Sequence, residues 1–89
     1  MSKFYVSFTR LQQHEINSQV IDRDCIVMIT VENKTQAMKI ACQRFDCKFS
    51  KLYDKVPNMK TFPRGIFDLN GNPVPGFQNE EVYSLRNFI

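Results

Sequence analysis

The chain has 89 residues, of which 43% are hydrophobic and 24% charged, with a formal net charge of +3. Such values exclude a disordered or collagen-like chain and predict one domain, residues 1–89, with a modest core and no room for a deep substrate cleft besides. The longest apolar run, residues 25–29, is far short of the roughly 20 residues that span a bilayer, so no membrane partner is expected.

Residues 3–10 alternate. Phe4, Val6 and Phe8 fall on one face and Tyr5, Ser7 and Thr9 on the other, the period of a half-buried strand. Residues 11–17 are polar and read as a turn or an exposed arm. Residues 20–32 are the most β-prone: Cys25, Val27, Ile29 and Val31 share a face, while Ile26 and Met28 add apolar groups to the other. Apolar residues on both faces predict an interior strand.

Asn33 then changes the period. It is a good N-cap, with Gln36 three residues on, and Ala37, Met38, Ile40, Ala41 and Phe45 recur at helical spacing. The spacing predicts a helix over 34–45, with Asp46 in the turn that ends it. Residues 47–56 return to an extended pattern carried by Phe49, Leu52 and Tyr53. Residues 65–69 form a short strand candidate, and Asn70-Gly71 is a strong hairpin signal. Pro73 and Pro75 place the returning strand at an edge. In residues 79–89, Asn79, Glu80 and Glu81 suit a helix N-terminus, although Tyr83, Leu85 and Ile89 also fit a strand; a short helix is preferred. The fold class is therefore α+β: an antiparallel sheet of three to five strands, in the order β-β-α-β-hairpin, covered by one main helix.

Charge is unevenly placed. Residues 34–64 hold eight of the 12 basic residues against only Asp46 and Asp54. Lys39, Arg44, Lys48, Lys51, Tyr53, Lys55, Lys60 and Arg64 form the candidate basic face, suited to an acidic protein or to a phosphate backbone with Tyr53 stacking a base. Asp22, Asp24, Glu80 and Glu81 are the candidate acidic contacts for a basic target. No aromatic-glycine signature of an RNA-recognition motif, GXXG loop or zinc finger is present.

Catalytic chemistry is sparse. The single histidine, His14, reads as solvent-exposed. Cys25, Cys42 and Cys47 are odd in number with no Cys-x-x-Cys pair, and read as small reduced core residues. Asp22 and Asp24 flank Arg23 without a third acidic ligand nearby, and residues 68–72 fail the spacing of a calcium loop. No enzyme activity, cofactor or metal is expected. The start Met-Ser-Lys-Phe-Tyr-Val lacks the apolar run of a signal peptide, so the cytoplasm is the expected compartment.

The stretch from Met28 through Val31, Asn33, Ala37 and Ala41 to Cys42 joins a strand, a short cap and an alanine-bearing helix. Over residues 24–53 it resembles a unit of small phage and mobile-element proteins, including several anti-CRISPR proteins. That resemblance implies a compact, non-enzymatic, phage-encoded protein that inhibits a host nucleic-acid-handling or defence complex by occupying its surface. The alternatives are a small RNA- or DNA-binding module using the basic face, and an assembly protein, including a homodimer, that pairs through an open edge of the strand at residues 3–10.

Overall fold

The structure is a computed structural model, which describes residues 1–75. The alternating first segment forms β1 (Ser2–Ser7). After a polar turn come β2 (His14–Ile16) and β3 (Gln19–Ile21), then β4 (Cys25–Val31), α1 (Lys34–Phe45), β5 (Lys51–Tyr53) and β6 (Gly65–Phe67). Four strands make one sheet in the order β5-β1-β4-β6, and β2 and β3 make a separate two-stranded ribbon. An α+β fold with one helix among the described residues is what the periodicities predict.

The sheet is mixed, which corrects the expectation of an antiparallel one. β1 pairs antiparallel with β4, from Ser2↔Val31 to Ser7↔Ile26, and antiparallel with β5. β6 runs parallel to β4, with Cys25↔Gly65 and Val27↔Phe67. Parallel strands need a crossover rather than a tight turn, and the chain makes two. From β4 to β5 it crosses one face of the sheet as α1. From β5 to β6 it returns as residues 54–64, whose Met59 and Phe62 pack on the other face. β5 covers β1 over Tyr5, Val6 and Ser7, so the strand read as an open edge is interior along that half.

Alternation along β1 and β4 sorts the core into two layers. Phe4, Val6, Val27, Ile29 and Val31 meet Ala37, Ala41 and Phe45 of the helix. Tyr5, Ile26 and Ile66 lie under Phe62, with Met28, Tyr53 and Met59 half-buried around them. The two alanines let α1 approach the sheet closely. Met38, expected on the apolar side of the helix, is 40% exposed. Asn33 caps α1 as expected: its Oδ1 accepts from the Gln36 N–H at 2.9 Å. Gln36 Oε1 in turn accepts from the Glu32 N–H at 3.2 Å, one residue earlier than in the usual reciprocal box.

The stretch read as one strand over 20–32 is two. Asp22 Oδ1 accepts from the Asp24 N–H at 3.0 Å, and this Asx turn separates β3 from β4. The segment read as an exposed arm instead supplies β2, joined to β3 through Asn17 and Ser18 at φ 49° and 70°. Two successive positive φ values match the twist of a two-residue hairpin. Asn70-Gly71 lies in a turn closed by Asp68, whose Oδ1 accepts from the N–H groups of Asn70 and Asn72. The return is a single bridge, Phe67↔Pro73, rather than a paired strand. Gly71 sits at φ 82°, and a Cβ there would meet the Ile16 carbonyl oxygen at 2.5 Å. The turn therefore docks on the β2–β3 ribbon, where Asn17 Nδ2 donates to the Asn70 carbonyl at 2.9 Å. The expectation for residues 79–89, and the positions of Glu80 and Glu81, lie outside the described residues.

Candidate functional site

The fold disperses the candidate basic face. Lys39 and Arg44 ride on α1, over one face of the sheet. Lys51 and Tyr53 belong to the other: Lys51 pairs with Ser7 and Tyr53 with Tyr5, so both share the side of Tyr5. Lys55 and Lys60 are exposed in the crossover that covers that side. Three of the expected cations are already engaged. Arg44 Nη2 donates to the Leu69 carbonyl. Lys48 Nζ lies 3.9 Å from the Asp46 carboxylate. Arg64 Nη1 donates to the Val20 carbonyl at 2.9 Å and to Asp22 Oδ2 at 3.3 Å, with its guanidinium over the Phe67 ring.

Two arginines that the charge run does not include stand beside Lys51. The chain leaving β1 carries Arg10, the turn between β3 and β4 carries Arg23, and β5 carries Lys51. All three line an open cleft of about 460 Å³ on the crossover side of the sheet. Tyr53 and Phe62 supply aromatic wall, Thr9, Ser50 and Thr61 supply hydroxyl-bearing side chains, and among the described residues Asp24 is the only acidic lining residue. Among the described residues none of these three cations makes an ion pair. Among the described residues the cleft therefore sets three cations, none of them in an ion pair, against the single carboxylate of Asp24, beside an aromatic surface and with hydroxyls able to donate to an anionic oxygen. No linear motif signals it, because its cations come from three separate elements.

The acidic candidates divide as well. Asp22 is held by Arg64 and by the turn it caps, whereas Asp24 faces the cleft. His14 is not the exposed side chain expected. Its ring packs 5.0 Å from that of Phe45 and 5.4 Å from that of Phe8, and Nε2 lies 2.8 Å from the Lys48 carbonyl oxygen. The tautomer that protonates Nε2 makes this a hydrogen bond tying β2 to the turn that follows α1.

Of the cysteines, only Cys25 fits the reading of a reduced core residue. It is fully buried, and burial pushes its thiol up to about 11. Cys42 and Cys47 are joined in a disulfide, with Cys42 half-buried and Cys47 exposed, which corrects that reading for the pair. The helix turn between them brings the two side chains together. Among the described residues no group of three or more His, Cys, Asp and Glu is placed to hold a metal ion, and no helix is long and apolar enough to cross a membrane. No protein-family model, curated protein or solved structure matches the chain.

Proposed function

We propose that the protein is a non-enzymatic binding module for single-stranded nucleic acid. The observation that carries this reading is the cleft in which Arg10, Arg23 and Lys51, free of ion pairs among the described residues, stand beside Tyr53. Cations along a groove track a phosphate backbone, and an aromatic ring gives a base a surface to stack on without reading its identity. Lys55 and Lys60, exposed in the crossover on the same side, extend the positive surface. Occupying a strand in this way would shield it from other proteins, so binding alone is sufficient for an inhibitory role.

Fluorescence anisotropy with labelled single-stranded oligonucleotides over a salt series tests the reading. Affinity is expected to fall linearly on a log–log plot with a slope of roughly −2, from about 0.7 per phosphate contact and three cations. No binding at low salt would overturn it. A stoichiometric protein partner that survives nuclease in a pull-down would then support occlusion of a host protein complex instead.

A further inference from the structure

We propose that Cys42 and Cys47 form a thiol–disulfide exchange site for a low-molecular-weight thiol of the glutathione class. The pair closes the C-terminal end of α1. The N–H groups of Asp46 and Cys47 both donate to the Cys42 carbonyl, the latter at 3.1 Å. Asp46 and Cys47 both sit in the left-handed region, at φ 55° and 57°. Two successive left-handed residues that are not glycine are costly, and the bond from the second of them, Cys47, back to Cys42 holds that turn in place. Its ring spans very few residues, so it restricts the unfolded chain less than a bond closing a long loop. A weak staple in an exposed turn has the attributes of an exchangeable disulfide rather than a permanent one.

Accessibility sets the direction of attack. Cys47 is exposed and Cys42 half-buried, so the incoming thiolate reaches the Cys47 sulfur. A sulfur–sulfur bond forms between the small thiol and Cys47 as the Cys42–Cys47 bond breaks. The electron pair leaves on Cys42 Sγ, which takes a proton from solvent. A second thiol molecule attacks the mixed disulfide, releasing Cys47 as a thiol and the small thiol as its own disulfide. The protein pair is thereby reduced by two electrons and two small thiols are oxidised. In the reverse direction the oxidised small molecule restores the bond. Cys25, fully buried, stands outside the exchange and serves as an internal control.

The test uses the full chain under native conditions. Incubation with millimolar reduced glutathione is followed by alkylation and peptide mass mapping. Cys42 and Cys47 are expected to gain alkyl groups while Cys25 stays unlabelled until denaturant is added. Subsequent oxidised glutathione should lower the intact mass of the reduced protein by two hydrogens. In the Cys42→Ser variant, a stable glutathione adduct should map to Cys47. If labelling of the pair appears only together with Cys25 on unfolding, the disulfide is a sealed structural bond and the proposal fails. It fails equally if oxidised glutathione leaves both residues as free thiols. Neither wild-type readout depends on a variant folding.

Discussion

Cys25 shows how burial turns a reactive side chain into a quiet one. It sits at the start of β4, fully buried, with Sγ 3.5 Å from Asp22 Oδ1. Loss of hydration moves its pKa from 9.0 to about 11, outweighing the Asp22 backbone hydrogen bond and the nearby Arg64 charge, which both pull it down. In the folded state the thiol therefore keeps its proton where the unfolded chain has lost it. Below pH 9 both states are protonated and Cys25 contributes no pH dependence. Between about 9 and about 11 the unfolded state binds fewer protons, so stability falls as pH rises. Urea denaturation of the wild type and of Cys25→Ala across that range, with the Cys42–Cys47 pair kept oxidised, isolates the contribution. The variant should be less stable throughout because of the cavity, yet show a shallower decline between those values. Parallel declines would remove Cys25 as the cause.

Arg64 shows why a charged residue in a basic run need not belong to a binding face. It stands at the entry to β6, where its own N–H donates to the Asp24 carbonyl at 3.0 Å. Its guanidinium holds the Val20 carbonyl and the Asp22 carboxylate, fixing the β3–β4 turn against the parallel strand. Arg64→Ala should cost about 1.5–3 kcal/mol, the range for hydrogen bonds to a charged group, and leave oligonucleotide affinity essentially unchanged in the folded protein. Chemical denaturation and anisotropy measured side by side check both; lost affinity with intact stability would return Arg64 to the binding face. The same element shows what the sequence could carry. α1 was legible to the residue because cap and period are local: Asn33, Ala37, Ala41 and Phe45 lie within a few turns. β6 was legible as a strand but its direction was not, since that depends on residues 54–64 crossing a face, a route with no periodic signal. β2 and β3 are only three residues each, too short to display alternation, and their Asn17-Ser18 turn lacks the usual glycine.

At the scale of the molecule, the basic middle of the sequence does not become one basic surface. Two crossovers send the chain over opposite faces of the sheet, so Lys39 ends above α1 while Lys51 ends beside the cleft. The candidate cleft was therefore only partly legible: Lys51 and Tyr53 lie in the basic run, whereas Arg10 and Arg23 join them through the pairing of β1 with β5 and the turn between β3 and β4. This separation offers a control that composition alone cannot. Lys39→Glu and Lys51→Glu change net charge by the same amount, so any effect of overall charge on encounter is alike in both. Their local effects differ, because a helix about 10 Å across sets Lys39 beyond the Debye length of about 8 Å at physiological salt. Lys51→Glu should weaken oligonucleotide binding and make the salt slope shallower by roughly 0.7, the loss of one phosphate contact. Lys39→Glu should leave that slope unchanged. Equal weakening by the two substitutions would mean that the strand is attracted by the charge of the whole molecule rather than held in the cleft, and the cleft would lose its assignment.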